Sequence, residues 1–437
     1  MLSKMKIKII VVSVVIFFNF LINSFGQDTI RYEQILDKAL SNNLFSKSGL
    51  LNIDLTKGEY YKTNNFFPKL PELDFNYETD KFYTNDGSKL FNVTLSQEIE
   101  IAGQFSRRND ISNYRIKQSE FEYKSRNYEI TYAIKLILSN VIFLQSKLQI
   151  ANEVNEINKE LLFNSDKRLK AGDISELEYN LVSIEANNSL INLGKAEVEF
   201  KNEINKLNVY LGYEQGKVFY LNVDPTYKQI NLSLEQIKNA ALENRSEIKA
   251  REYEKLATSN QISLYKSENI PNLKLSLGYS NGTTIIPGDD IIGENSIVKI
   301  QDIDKSLLFG VGFSVPIPLS GLFNFNKGNI RIAEVKTKII DNEIELIRKE
   351  INSEVVSAYN KWENSKKNME LLQTNNQVIE NTLELLKRGY EKGEISLINY
   401  LNEKQKLYET KLNYIEIHRE YDQSLIELEK VTQTKLF

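Results

Sequence analysis

The chain has 437 residues and a formal net charge of −4, with 59 acidic residues against 55 lysines and arginines. An acidic chain without basic clusters argues against nucleic acid as a partner. There is no cysteine and one histidine, His418, so disulfides and thiolate chemistry are excluded and the histidine is a poor metal site. We therefore predict no metal site and no cofactor. The sequence offers no nucleophile–base pair or phosphate-binding glycine loop either, so we predict that the chain is not an enzyme.

The N-terminus has the layout of an export signal. Lys4, Lys6 and Lys8 precede an apolar run over residues 9–22, and small residues follow at Ser24 and Gly26. The run is shorter than the ~18 residues expected of a spanning helix. We interpret residues 1–26 as a cleaved signal peptide, with a retained membrane anchor as the alternative. No other stretch reads as apolar enough to cross a bilayer as a helix.

The first half of the mature chain predicts a helix, a β-hairpin and two more helices. Apolar residues alternate with polar ones from Leu73 to Tyr77, and Asp86-Gly87 is typical of a hairpin turn. Residues 72–224 contain no proline, as a very long helix requires. The predicted elements of this first repeat, residues 27–224, are a helix at 32–65, the hairpin at 73–102, a long helix at 104–170, a tip at 171–173 and a return helix at 174–211.

The second half repeats this order. "YEQILDKAL" at the start of the first helix matches "LEQIKNAAL" farther along, and "KAGDISELEY" around Gly172 matches "EKGEISLINY" around Gly393. An ordered repeat of this length predicts two equivalent halves. The predicted elements of residues 225–437 are a helix at 233–269, a hairpin at 273–318 with a long polar loop at 281–305, a long helix at 322–392, a tip at 393–394 and a return helix at 395–432.

The two tips are predicted to be helix reversals. Gly172 and Gly393 accept the left-handed conformation that ends a helix. Asp173 and Glu394 would then lie at the start of each return helix, where a negative charge suits the helix dipole.

The strands of the predicted hairpins are about as long as a tilted membrane β-strand, which has about 9–11 residues. Pro316 and Pro318 lie where the last strand should leave the ladder. Four strands cannot close a barrel, and open sheet edges are not tolerated in lipid, so several chains must pool their strands. Three chains give twelve strands and an open lumen. An ordinary half-buried hairpin in a soluble domain is the alternative interpretation. The predicted fold is mainly α with a small β part, forming a trimeric duct of a 12-stranded β-barrel and a long α-helical barrel.

In both halves the chain resembles the TolC family of outer-membrane efflux proteins. The resemblance rests on the paired helix starts, on the strand ends "QEIEIAGQ" and "VPIPLSGL", and on the tips "KRLKAGDISELEY" and "KRGYEKGEISLINYL". "LSQEIEIAGQFSRR" and "GEISLINYLNE" are most similar to the CzcC-like branch, which serves heavy-metal efflux. The resemblance implies a homotrimer in the outer membrane whose helical barrel extends into the periplasm. It also implies docking on a periplasmic adaptor and an inner-membrane resistance-nodulation-division pump.

The resemblance also implies roles for residues of the two tips. Adaptor contact would involve Arg168, Gly172, Ser175, Leu177, Arg388, Gly393, Ser396 and Ile398. Glu178 and Tyr390 match the carboxylate and the tyrosine of the family's closed periplasmic gate, with solvated side chains as the alternative reading. Ile395 stands where the family has the arginine partner of that carboxylate. Asn399 and Asn402 stand where it has an aspartate pair, so a strong acidic ring is not expected there.

The predicted function is a passive conduit of a tripartite efflux system that exports heavy-metal cations. The chain has almost no Cys, Met or His ligands, so the choice of substrate would rest with the pump. A channel for type I protein secretion or multidrug efflux is one alternative. A non-transporting periplasmic coiled coil is an alternative of another class.

Overall fold

The computed structural model describes residues 29–30, 32–65, 67, 69–80, 88–221, 233–291, 297–314, 326–372 and 375–435. The predicted signal peptide, the predicted turn at Asp86-Gly87, and Pro316 and Pro318 lie outside these ranges. The described chain is mainly helical with a small sheet, which confirms the predicted fold class. It divides into two compact units, each built from both halves of the sequence. The first unit comprises Met1–Gly49, Lys124–Arg245 and Lys349–Phe437, and the second comprises Leu50–Tyr123 and Ser246–Arg348.

Helices make up most of the described elements. They are α1 (Tyr32–Asn42), α2 (Leu44–Thr63), α3 (Gln104–Ala171), α4 (Glu176–Leu211), α5 (Leu234–Asn244), α6 (Ser246–Ser267), α7 (Lys327–Leu372), α8 (Asn375–Glu391) and α9 (Leu397–Thr432). The strands are β1 (Thr29–Ile30), β2 (Glu72–Thr79), β3 (Lys89–Ile99), β4 (Tyr220–Leu221), β5 (Asn272–Ile291) and β6 (Ile297–Ser314). The predicted long helix at 322–392 corresponds to α7 and α8, and residues 373–374 between them are not described.

The two predicted single helices at 32–65 and 233–269 are each broken, which corrects the sequence interpretation. Asn43 separates α1 from α2, and its Oδ1 accepts the backbone N–H groups of Phe45 at 2.8 Å and Ser46 at 3.2 Å. Arg245 separates α5 from α6 in an extended conformation, and its buried guanidinium pairs with Glu354 at 2.8 Å. The Asn43 side chain thus satisfies two of the orphan donors at the start of α2. At the second break Arg245 ends α5, and its N–H donates to the carbonyl of Ala241.

The predicted polar loop at 281–305 is wrong in its extent, because most of it is strand. The β5–β6 ladder continues outward to Pro287 opposite Lys299 and Ile291 opposite Ile297, with an irregularity between Pro287 and Ile291. Apolar and polar residues do not alternate in this stretch, so hydrophobic periodicity does not indicate a strand there. It is nevertheless rich in isoleucine, which favours extended backbone.

The core of the first unit is formed where α1, α3 and α4 meet. Ile35, Ile134, Leu138 and Phe200 are completely or almost completely buried there. By length and composition α3 could cross a membrane, which corrects the expectation that only the leader is apolar enough. Its apolar residues instead supply this core, where burying each side chain is worth about 1.5–3 kcal/mol.

The second unit contains an antiparallel sheet with the strand order β2-β3-β5-β6. The four strands of this sheet confirm the predicted β part. Leu73, Leu95, Leu277 and Phe309 lie opposite one another across the four strands, and all are exposed. This row and its neighbours make one face of the sheet apolar. The other face is mainly polar or small, with Glu72, Asp74, Asn76, Glu78, Thr94, Ser96, Ser276, Gly278 and Gly310.

Candidate functional site

The two tips of the first unit are helix reversals with the same backbone geometry. Gly172 has φ +78° and Gly393 has φ +77°, which confirms the predicted left-handed conformation. The Gly172 N–H donates to the carbonyl of Leu169 at 3.0 Å, and the Asp173 N–H donates to that of Arg168 at 2.8 Å. The Gly393 and Glu394 N–H groups make the corresponding bonds at 3.0 and 2.9 Å. Both tips are therefore Schellman motifs, which satisfy the last carbonyls of α3 and α8.

The return helices begin at serines rather than at the predicted acids. Ser175 is the N-cap of α4 and Ser396 is the N-cap of α9, so Asp173 and Glu394 belong to the turns. The Ser175 hydroxyl accepts the Glu178 N–H at 3.2 Å, and the Glu178 carboxylate accepts the Ser175 N–H at 2.9 Å. This reciprocal capping box gives Glu178 a local structural partner. Asn399, its counterpart in the second tip, donates its N–H to Ser396 Oγ at 3.4 Å.

Each tip presents an apolar side chain to solvent just after its cap. Leu177 and Ile398 occupy equivalent positions, two residues beyond Ser175 and Ser396, and are 66% and 55% exposed. The neighbouring Leu397 is buried. Each return helix thus has an accessible apolar side chain at the same position relative to its cap.

Among the gate candidates, Tyr390 has the most contacts. Its ring stacks on Tyr400 with the centroids 4.7 Å apart, and its hydroxyl accepts a hydrogen bond from the Arg168 guanidinium at 3.4 Å. Tyr390 thereby connects α3, α8 and α9 at the tips. Glu178 is not brought to Tyr390 by any contact in the part of the chain that the structure describes.

The other predicted tip residues are placed separately. Ile395 lies over Gly389, where an added Cβ would approach its Cδ1 to 2.7 Å. Arg388 forms an ion pair with Glu384 one turn earlier in α8. Asn399 and Asn402 are exposed on α9. The arrangement can support protein docking, but these residues do not form a single chemical cluster.

The sequence interpretation missed a buried polar layer above the tips. Lys404 of α9 is 2% exposed, and its ammonium donates to Asn158 Oδ1 of α3 at 2.5 Å. Glu185 of α4 lies 3.7 Å from the same ammonium. Burial lowers the pKa of Lys404, while the Glu185 carboxylate opposes that shift. A signal was present, because Lys404 continues the buried line of Leu397 and Tyr400 at helical spacing.

Aromatic and ionic groups flank this layer. Burial raises the pKa of Tyr400 to about 12, and it also raises the pKa of Tyr408. Burial alone would lower the pKa of Lys411, but its hydrogen bonds and ion pairs with Glu380 and Glu153 raise it. The charged side chains of the layer and of its flanking groups connect four helices, α3, α4, α8 and α9. It contains no group of three or more potential metal ligands among the described residues.

Comparison with known proteins gives a family match for the second half of the chain. Residues 237–433 match the family model described as "Outer membrane efflux protein". No curated protein sequence matches the chain significantly.

Solved structures with the same fold include membrane-channel and outer-membrane proteins. CusC, whose structures concern folding and transmembrane channel formation, has a TM-score of 0.69 and 16% identity over 93% of this chain and 92% of that chain. The Campylobacter jejuni CmeC outer membrane channel has a TM-score of 0.65 and 17% identity, over 92% and 85%. The Vibrio cholerae outer membrane protein VceC has a TM-score of 0.68 and 10% identity, over 92% and 95%. The chain thus has the fold of these channel proteins.

Proposed function

We propose that this chain is the outer-membrane conduit of a tripartite efflux system. The observation that carries the proposal is the sheet of the second unit, whose apolar face is exposed across all four strands while the other face is mainly polar. A membrane β-barrel needs this alternation, because one face meets lipid and the other lines an aqueous lumen.

The open sheet calls for further copies of the chain. Among the described strands β2 and β6 end the strand order, so each presents an edge that no described strand pairs with. Lipid cannot satisfy the free N–H and C=O groups of such an edge. Three chains supply twelve strands, enough to close a barrel around a lumen, so the functional unit is a homotrimer in the outer membrane.

The two tips supply the docking site for a periplasmic adaptor, which connects the conduit to an inner-membrane pump. The matching turns at Gly172 and Gly393, and the exposed Leu177 and Ile398, support this role. The family match over the second half supports efflux over a purely structural role.

Heavy-metal cations are the proposed substrate class, on the strength of the CzcC-like sequence features. The chain has no cysteine and one histidine, so selection of the metal falls to the pump. Identifying the pump that co-purifies with the trimer tests this point. A drug pump would favour multidrug efflux, and an ATP-driven transporter would favour type I secretion.

Two neighbouring residues of β5 test the membrane role. Leu277 is exposed on the apolar face, and Ser276 lies on the opposite face. We expect Leu277→Asp to lose much of its outer-membrane accumulation, because a charge on the lipid face is destabilising, by ~2–4 kcal/mol for a lysine or arginine at the midplane and by less for an aspartate. Ser276→Asp should accumulate as the wild type does. Equal accumulation of the two variants, or a soluble wild-type protein, would contradict the proposal and favour a non-transporting coiled coil.

A further inference from the structure

The long helix α3 and the return helix α9 come from different halves of the chain and contact each other through polar side chains. Near the tips, Asn158 of α3 accepts a hydrogen bond from the ammonium of Lys404 of α9, and both residues are buried. Farther from the tips, Glu153 of α3 pairs with Lys411 of α9 at 3.0 Å. Charged side chains therefore join the two halves of the sequence at this contact.

Two further contacts between these helices continue the series. Asn140 of α3 accepts a hydrogen bond from the Arg419 guanidinium of α9 at 3.2 Å. The Lys135 ammonium of α3 pairs with the Glu429 carboxylate of α9, and these side chains are 14% and 7% exposed. Together the four contacts occupy residues 135–158 of α3, which is about 35 Å of helix.

The internal repeat offers α9 two similar partners. The tip glycines, Gly172 and Gly393, are 221 positions apart, and the same offset relates buried residues of the two halves. Examples are Ile130 with Ile351, Ile134 with Val355, and Leu207 with Leu428. By this offset α3 corresponds to α7 and α8, and α4 corresponds to α9. Apolar packing alone would therefore let the α3-facing side of α9 pack on α7 and α8 of another copy.

The polar side chains of the α3–α9 contact do not repeat at this offset. Lys135 and Asn158 of α3 correspond to Val356 and Ile379, and Glu429 and Lys404 of α9 correspond to Asn208 and Ser183. The corresponding residues cannot form an ion pair with each other. The repeat therefore keeps the apolar pattern and changes the polar residues through which α3 and α9 meet.

A second copy would be a poor partner for the same side of α9. With α7 and α8 of another copy in the place of α3, Lys404 would face Ile379, and its buried ammonium would lose its acceptor. Arg419 would face Lys361, which corresponds to Asn140, so that two like charges would meet. Unpaired and like charges of this kind discriminate against a wrong partner.

We propose that the polar contacts between α3 and α9 make α9 select α3 over the equivalent helices of a second copy, an inference that rests on the trimer of the proposed function. The four contacts act as a pairing code, because a buried polar group in a helix contact specifies the partner at a cost in stability. Each chain contributes one hairpin of α3 and α4 and one hairpin of α8 and α9. The pairing code disfavours assemblies in which two hairpins of the same kind adjoin.

An apolar variant removes the pairing code without leaving a buried charge unpaired. It carries Lys135→Met, Asn158→Ile, Lys404→Met and Glu429→Met. Replacing buried ion pairs by apolar side chains of similar volume is often neutral or stabilising, so the thermal unfolding temperature should not fall. Native mass spectrometry of the membrane-extracted protein should show the share of trimers falling about twofold or more, with other assemblies in their place. Asn158→Ile with Lys404→Met alone should give an intermediate share.

Exchanging the two residues of one contact provides the control. Asn158→Lys with Lys404→Asn places the ammonium on α3 and the amide on α9, so the hydrogen bond between the two helices is retained. The exchanged variant should form trimers alone, as the wild type does.

The outcomes separate this inference from the proposed function. Mixed assemblies of the apolar variant, with trimers alone in the exchanged variant, support the pairing code. Trimers alone in both variants, or mixed assemblies in both, overturn the pairing code and leave the conduit standing. An apolar variant that no longer folds also overturns it, because the contacts would then supply stability instead of selection. A wild-type monomer overturns both the pairing code and the conduit.

Discussion

Alanine substitution of two glycines should shift stability in opposite directions, although neither added methyl group would touch another atom. Gly172 lies in the tip turn with φ +78°, and Gly194 lies within α4 with no unusual φ. A Cβ would meet nothing within 4 Å at either position. The effects are therefore conformational alone.

The expected magnitudes follow from the backbone. Left-handed backbone costs an L-residue roughly 1–2 kcal/mol, so Gly172→Ala should open the tip turn about 5–30 times more often. Gly194→Ala should stabilise α4 by up to ~1 kcal/mol, the propensity difference between alanine and glycine. Gly172→Asn should lie between the wild type and the alanine variant, because asparagine tolerates this conformation better.

Hydrogen exchange of the tip provides the assay. The amides of Gly172 and Asp173 are protected by their bonds to Leu169 and Arg168, so their exchange reports opening of the turn. Exchange there should quicken in Gly172→Ala and stay unchanged in Gly194→Ala. If Gly172→Ala exchanges at the wild-type rate, the reasoning about the left-handed turn is wrong.

Three further predictions concern the caps, the buried lysine and the sheet. Ser175→Ala should cost about 1 kcal/mol at the start of α4, seen as faster exchange of the Glu178 amide, because the capping box is lost. The pKa of Lys404 is lowered in the folded state, so the unfolded chain binds more protons between that pKa and the ordinary value of 10.5. The free energy of unfolding of the wild type should therefore rise as pH increases through this window. Thermal unfolding at several pH values should show this rise in the wild type and not in Lys404→Met. Asp74→Asn combined with Glu78→Gln should reduce cation preference in reversal-potential measurements, because rings of carboxylates attract cations.

The helices and their reversals could be read from the sequence because their signals are local. The absence of proline indicated the long α3, and the glycines marked both tips. The start of α4 also has a local signal, since Ser175 and Glu178 have the spacing of a capping box, but Asp173 near the helix start is an equally local signal that points to the wrong residue. Patterns that depend on one residue's own backbone are visible without a structure.

The remainder depends on contacts between distant segments. Each helix break depends on a single side chain. Asn43 caps the start of α2, and Arg245 forms a buried ion pair with Glu354 of α7. The burial of Lys404 depends on Asn158, 246 residues away in sequence. The outer part of the β5–β6 ladder pairs without alternation, so periodicity could not reveal it. The roles of the tip residues in adaptor contact and gating stay predictions.

The most direct test of the account is the mass of the mature protein extracted from membranes in detergent, measured by native mass spectrometry. The unpaired edges of the four-stranded sheet predict a complex of three chains that enters detergent only from the membrane fraction. A stable, water-soluble monomer would contradict the account, because a single chain would then satisfy its own strand edges without lipid or neighbours.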